Sequence, residues 1–107
     1  MKIKPYYDIN EVLDLINKYQ YDGTKRVIHW LQNHGYFEMS QIQNVICAIP
    51  KSGIFSKTVQ LRENPDKKAD VYLVEYDEYS WYVKFYLDKD EEELYVQVLS
   101  CHWEGAL

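Results

Sequence analysis

Residues 70–102 decide the fold, and they read DVYLVEYDEYSWYVKFYLDKDEEELYVQVLSCH. Three runs within them are rich in valine, tyrosine, tryptophan and phenylalanine, which favour strands. These runs are Asp70 to Tyr76, Trp81 to Leu87 and Leu94 to Cys101. The links between them are too short for a crossover, so neighbouring strands must run in opposite directions. The sequence therefore predicts an antiparallel meander of three strands.

Alternation along the last two strands predicts which side chains share a face of the meander. We expect a turn at Lys89 to Glu91 that sets even-numbered residues of one strand opposite even-numbered residues of the next. One face then holds Tyr82, Lys84, Ser100 and His102. The other face holds Trp81, Val83, Phe85, Leu99 and Cys101. Leu94, Val96 and Val98 are apolar but fall on the first face, so a register shifted by one residue is an alternative.

Upstream of the strands, apolar residues recur every three or four positions, which is typical of amphipathic helices. A first helix is predicted from Ile9 to Tyr19. Thr24 and Ser40 are favourable N-caps for a second and a third helix, and Pro50 ends the third. The stretch from Phe55 to Asn64 is predicted to connect this helical half to the strands. The expected fold class is therefore α+β, with three N-terminal helices followed by the three-stranded meander.

Length and composition predict one soluble domain. Neither half of a chain of 107 residues is large enough to bury a core alone, so a single domain is expected to span residues 1–107. The N-terminus lacks an apolar signal core, and no apolar run approaches the ~20 residues of a membrane span. The expected location is the cytoplasm, with no membrane partner. Cys47 and Cys101 are then expected to be reduced thiols.

The net charge of −5 is distributed unevenly along the chain. Residues up to Lys68 carry +3, and those from Ala69 onward carry −8. Affinity for nucleic acid comes largely from neutralised phosphates, so the global charge argues against a broad basic binding surface. Much of the negative charge lies in Asp88–Glu93, which we interpret as a solvated hairpin tip. A local basic site elsewhere is compatible with this distribution.

Several kinds of site lack their sequence signature. There is no glycine-rich phosphate loop, no nucleophile elbow and no spaced cysteine quartet. His29 and His34 are five residues apart, which places them on different faces of a helix and fits no zinc motif. We therefore expect no cofactor and no bound metal.

Four short segments resemble those of a known family in their order and spacing. They are FSKTV at 55–59, DVY at 70–72, YVK at 82–84 and LSCH at 99–102. Together they resemble the MqsR-type toxins of bacterial toxin–antitoxin systems. These toxins are ribosome-independent messenger-RNA endonucleases with a RelE-like α+β fold, so the resemblance implies that fold and that activity.

The resemblance also implies roles for individual positions. The family's catalytic lysine and tyrosine fall on Lys57 and Tyr82, and its terminal lysine or histidine falls on His102. A glutamine that the family uses corresponds to Ala69, and Tyr72 is the nearest substitute. The candidate substrate-binding residues are Tyr72, Lys84, Ser100 and Trp103. Messenger RNA is the implied substrate, and a cognate antitoxin is the implied protein partner.

Cleavage of RNA needs three chemical groups that these residues can supply. Internal attack requires a deprotonated 2′-hydroxyl, neutralised charge on the phosphate oxygens and a protonated 5′-oxygen. His102 can act as acid or base near neutral pH because an imidazole titrates there. Lys57 offers a cation for the phosphate, and Tyr82 offers a hydroxyl on a ring that can also support a base. The expected activity is that of a metal-independent, sequence-selective endoribonuclease.

Each of these residues also has an ordinary structural interpretation. A lone lysine such as Lys57 is more often an exposed loop residue, and a lone histidine such as His102 is more often hydrogen-bonded or exposed. The strand tyrosines can be cross-strand packing pairs. Trp103 either stacks on a base or covers the edge of the sheet. The rival hypothesis is a non-enzymatic acidic binding or inhibitor protein that engages a basic partner through its strand half.

Overall fold

A computed structural model of the chain describes residues 4–105, which form three helices, a further one-turn helix and a five-stranded sheet. The helices are α1 (Ile9–Asn17), α2 (Lys25–Asn33), α3 (Ser40–Cys47) and the one-turn α4 (Ile49–Ser52). The strands are β1 (Tyr21–Gly23), β2 (Gly53–Gln60), β3 (Lys68–Tyr76), β4 (Tyr79–Asp90) and β5 (Glu93–Trp103). Their order in the sheet is β1-β5-β4-β3-β2. Within the described residues, no helix has the length and apolar character needed to cross a membrane.

The expected fold of three N-terminal helices and a three-stranded, RelE-like antiparallel meander is wrong. The sheet has five strands and is mixed, because β1 lies between α1 and α2 in the chain and pairs in parallel with β5. β1 consists of Tyr21–Gly23 alone, which is too short to show the alternation that marks a strand. Its partner residues, Val96 to Val98, lie far along the chain, so no local pattern predicts the pairing.

The second unexpected strand is β2, which fills much of the stretch that the sequence predicts to be a connection. β2 pairs antiparallel with β3 and forms one edge of the sheet. Its residues are exposed or only half-buried on both faces, because an edge strand has a neighbour on one side alone. The pairing is also irregular between Phe55 and Lys57. These features remove the apolar alternation from which a strand is predicted.

The core lies between the helices and one face of the sheet. Asp8 caps α1 by accepting a hydrogen bond from the backbone N–H of Asn10, and Thr24 caps α2 by accepting one from Val27. The helices and the strands β3, β4 and β5 all contribute apolar side chains to this core. They are Val12, Leu15, Ile16, Val27, Leu31, Ile42, Val45, Ile46, Ile49, Tyr72, Val74, Trp81, Val83, Phe85, Val96, Val98 and Cys101.

A β-bulge decides which residues of β5 face the core. Lys84 pairs with Ser100, but the next residue, Phe85, pairs with Val98, which leaves Leu99 as an extra residue in β5. The bulge turns Val98 towards the core and keeps Ser100 on the opposite face, so no slip of the whole register is needed. Leu99 leaves the apolar face, so its predicted place there is wrong.

A buried carboxylate attaches the N-terminal segment to the sheet. Asp70 is fully buried on β3. It accepts hydrogen bonds from the backbone N–H groups of Tyr6 and Tyr7, at 3.0 and 2.9 Å. It also accepts one from the hydroxyl of Thr58 on β2, at 2.6 Å. One side chain therefore holds together the segment before α1 and two neighbouring strands.

Candidate functional site

Four polar side chains occupy neighbouring positions on the sheet face opposite the core. Tyr82 on β4 pairs directly with His102 on β5, and Lys84 pairs directly with Ser100. Residues that pair directly point to the same face, so the four side chains form a compact group. The structure therefore brings together the four residues that alternation along β4 and β5 assigns to one face.

Tyr82 and His102 form a stacked pair. Their ring centroids are 5.2 Å apart and their planes differ by 12°. His102 is only 7 % exposed, and its Nδ1 lies 2.8 Å from the carbonyl oxygen of Trp103. A carbonyl only accepts hydrogen bonds, so the neutral imidazole carries its proton on Nδ1 and its lone pair on Nε2. His102 is therefore prepared to accept a proton through Nε2.

Three cations lie near one another on this side of the sheet. Burial lowers the pKa of Lys84, and the positive charges of Arg26 and Lys57 lower it further. Within the described part of the chain, the two salt bridges are Lys18–Asp14 and Lys67–Asp88, so neither involves these cations. The protein is acidic overall, yet this face holds a concentration of positive charge that an anion would neutralise.

Lys57 and Lys84 have different places in the site. Lys57 pairs with Val71 on β3, and Val71 pairs with Lys84 on β4, so both lysines lie on the same face as His102. Lys57 is on β2, three strand spacings from His102 on β5, or roughly 14 Å between backbones. Lys84 is one strand from His102. The topology thus makes Lys84 the sheet lysine nearest to the Tyr82–His102 pair and puts Lys57 at the margin.

Helix α2 supplies a wall beside these strands and closes a groove. Arg26, Trp30 and Asn33 follow the spacing i, i+4, i+7, which places them on one side of the helix. Together with the sheet they enclose about 630 Å³, which we call the α2 groove. It is lined by Arg26, Val27, Trp30, Asn33, Tyr82, Lys84, Leu99, Ser100, Cys101, His102 and Gly105. A volume of this size suits a small ligand or a nucleotide unit.

Two of the predicted substrate-binding residues lie elsewhere. Tyr72 is 5 % exposed and faces the core between Phe55 and Phe85, with ring centroids 5.6 and 5.8 Å away. Burial, with a contribution from the Asp70 charge, raises its pKa to about 12. Ala69 is an odd-numbered residue of β3, so it alternates onto the groove face while Tyr72 does not. Tyr72 therefore cannot replace a side chain missing at Ala69.

Trp103 covers the end of the sheet and does not line the α2 groove. It pairs with the buried Trp81 and stacks on Tyr79, with ring centroids 4.2 Å apart. Its indole also meets the Trp30 ring edge-on at 5.2 Å. Of the two interpretations of Trp103, its surroundings favour covering the sheet. Its contact with Trp30 helps to fix the wall of the groove.

The wall from α2 is the part of the site that the strand pattern misses. It consists of Arg26, Trp30 and Asn33, and none of these residues is a candidate site residue from the sequence alone. The sequence does contain a pattern that indicates this wall, because these three positions form a second stripe on α2 beside the apolar Val27 and Leu31. Without the fold, nothing indicates that this stripe faces β4 and β5.

Cysteine chemistry does not contribute a nucleophile here. Cys101 lies beneath the α2 groove, and burial raises the pKa of its thiol to about 12. At neutral pH it is therefore a thiol and not a thiolate. The two cysteines are free; Cys47 is exposed on α3. Among residues 4–105, His, Cys, Asp and Glu side chains do not gather in threes around a possible metal position.

Comparisons of the chain with protein-family models, with curated proteins and with solved structures found no match. The case for a function therefore depends on the chemistry of the α2 groove.

Proposed function

We propose that this protein is a metal-independent endoribonuclease of the MqsR type, which cuts single-stranded messenger RNA in a sequence-selective manner without the ribosome. The observation that carries this proposal is the Tyr82–His102 pair, which shares one open groove with Arg26 and Lys84 and has Lys57 at its margin. An acid–base pair supplies proton transfer, and three cations that form no salt bridge within residues 4–105 supply the affinity for a phosphodiester.

The proposed reaction is an internal transfer at phosphorus. His102 Nε2 takes the proton of the ribose 2′-hydroxyl, and the resulting 2′-oxygen attacks the neighbouring phosphorus. The bond from phosphorus to the 5′-oxygen breaks as the Tyr82 hydroxyl gives that oxygen a proton, and solvent later restores both groups. The products are a 2′,3′-cyclic phosphate and a 5′-hydroxyl end. Lys84 neutralises charge on the non-bridging oxygens during the reaction.

The remaining residues on the groove face then bind the rest of the chain. Arg26 lies across the groove from Lys84 and provides a second contact to the same phosphate. Lys57 at the margin contacts a neighbouring phosphate. Ser100, opposite Lys84, offers a hydroxyl that can donate to or accept from the ribose. On this proposal the protein acts in the cytoplasm as a toxin, and a cognate antitoxin inhibits it.

A second candidate function is supported by a different surface. A cleft of about 730 Å³ near the β4–β5 hairpin is lined by tyrosines and carboxylates. Its lining is Tyr19, Gln20, Tyr21, Asp22, Glu91, Glu92, Glu93 and Tyr95. An acidic, aromatic surface of this kind suits a basic protein partner. The rival function is therefore a non-enzymatic binding or inhibitor protein.

Purified protein and short single-stranded RNA distinguish the two candidates. The wild type should cut RNA in the presence of EDTA, and its induced expression should arrest bacterial growth. Lys84→Met should slow cleavage by ~10²–10³-fold and relieve the arrest, because it removes the cation nearest to the reacting phosphate. Lys89→Met, on the exposed hairpin, is the matched control and should behave like the wild type. Intact RNA and normal growth with the wild type would favour the acidic binding protein.

A further inference from the structure

One end of the α2 groove has features that proton transfer does not require. Trp30 lines it while remaining half-buried, whereas Trp81 beside it is completely buried. The centroid of the Trp30 ring is 5.9 Å from that of His102. The exposed amide of Asn33 lies one helical turn further along the same wall. An indole and an amide therefore stand next to the proposed reaction centre.

Neighbouring aromatic rings hold Trp30 in this position. His34 stacks on it, with centroids 3.9 Å apart and an angle of 16° between the planes. His34 Nδ1 also lies 2.7 Å from the Trp30 carbonyl oxygen, which ties the two residues together. Trp81 and Trp103 meet the Trp30 ring edge-on at 5.9 and 5.2 Å. A surface fixed before a ligand arrives loses little conformational entropy on binding.

We propose that Trp30 and Asn33 form a nucleobase-binding subsite, which holds the base of the nucleotide beside the phosphate cut by Tyr82 and His102. This inference rests on the proposed function and adds the origin of its sequence selectivity. A base offers a flat apolar face to the indole and a hydrogen-bonding edge to the amide, which can both donate and accept. The phosphate attached to that base meets Arg26 and Lys84 in the same groove.

The subsite requires single-stranded RNA. A base paired and stacked within a helix cannot present its face to Trp30 and its edge to Asn33, whereas a base in a single strand can turn outward. The Asn33 amide would discriminate among bases by the pattern of donors and acceptors on their edges. Sequence selectivity would therefore depend on α2, while the reaction depends on β4 and β5.

Nucleoside 3′-monophosphates test the subsite without any cleavage. Their affinities for the wild type, measured by calorimetry, should exceed that of inorganic phosphate by ~10-fold or more for at least one of the four bases, since stacking on the indole and a hydrogen bond to the amide both contribute. Asn33→Ala should lower this advantage by roughly 3–10-fold, the value of one hydrogen bond, and leave phosphate binding unchanged. Gln32→Ala is the matched control, because Gln32 is exposed on α2 outside the groove and should keep the advantage.

Trp30→Ala should also lower the advantage over phosphate, because it removes the surface on which the base stacks. Because Trp30 packs against Trp81 and Trp103, that variant could unfold, in which case the exposed Asn33 decides the question. The inference is overturned if no nucleotide binds more tightly than phosphate, or if Asn33→Ala keeps the preference for a base. Failure of the proposed ribonuclease would be seen separately, as RNA that stays intact while the nucleotides still bind.

Discussion

At the scale of single residues, the neighbours of His102 and Lys84 determine which of their atoms and charges remain available to a substrate. The Nδ1 of His102 is committed to the Trp103 carbonyl, so only Nε2 is available to a substrate. Lys84 is half-buried and near two other cations, so its charge is not neutralised within the described chain. The first arrangement leaves His102 Nε2 able to accept a proton, and the second leaves the Lys84 ammonium able to bind an anion. The unneutralised charge of Lys84 also reduces the stability of the folded protein.

Lys84→Met should therefore stabilise the protein while it impairs cleavage. Below its lowered pKa, the folded protein carries a desolvated charge that the unfolded chain solvates freely. The stability advantage of the variant should shrink as the pH rises from that pKa to ~10.4, because the unfolded wild-type chain binds more protons at Lys84 there, while the other titrating groups are common to both proteins. The variant should therefore be the more stable of the two proteins at pH 7. Urea unfolding from pH 7 to 10.5 measures both effects, and a less stable variant would contradict the account.

At the scale of elements, the groove depends on one bulge and one helix. The bulge at Leu99 allows β5 to place Val98 in the core and Ser100 in the groove. β1 pairs with β5 and leads directly into α2, which brings the helix wall beside the strands. A site on rigid elements of this kind keeps its groups at fixed separations.

The Asp70 anchor is the clearest test at this scale. Asp70→Ala would leave the N–H groups of Tyr6 and Tyr7 and the hydroxyl of Thr58 without the carboxylate that accepts from them. The free energy of unfolding should fall by roughly 2–4 kcal/mol, because three hydrogen bonds to a buried charged group would be lost. Asp66→Ala, at an exposed position before β3, is the control and should change it little. Equal stability of the two variants would show that the anchor does not stabilise the fold.

The same elements show how far the sequence predicts the structure. Alternation along β4 and β5 places Tyr82, Lys84, Ser100 and His102 on one face because a strand has a period of two residues. The sequence indicates the bulge only indirectly. Regular alternation along β5 would expose Val98, although its side chain is apolar. β1 and the parallel pairing depend on residues far apart in the chain. The contribution of α2 to the groove depends on that pairing, and so it is not predictable from local patterns.

At the scale of the whole molecule, opposite charges are kept apart along one strand. The carboxylates Glu91, Glu92 and Glu93 lie at the hairpin before β5, and His102 lies near the other end of that strand. Glu93 and His102 are nine residue steps apart along the strand, which corresponds to roughly 30 Å. Charges interact weakly beyond the screening length of ~8–10 Å in physiological salt. A net charge of −5 is therefore compatible with a basic groove.

RNA binding should thus weaken with salt even though the protein is acidic. Each cation that neutralises a phosphate of a single strand contributes about −0.7 to the slope of log affinity against log salt. Arg26, Lys57 and Lys84 together should give a slope near −2. Lys57→Met should make the slope shallower by about 0.7. Anisotropy measurements with a non-cleavable 2′-O-methyl strand provide these values, and an affinity independent of salt would contradict a phosphate-binding groove.

The most direct test of the central claim is the rate at which the protein cuts single-stranded RNA when each of two histidines is replaced. His102→Ala should reduce the rate by ~10²–10⁴-fold, because it removes the group that takes the 2′-hydroxyl proton. His29→Ala, at an exposed position of α2 outside the groove, should cut at the wild-type rate. Cleavage by a folded His102→Ala variant at the rate of the wild type would contradict the assignment of this groove as the reaction centre.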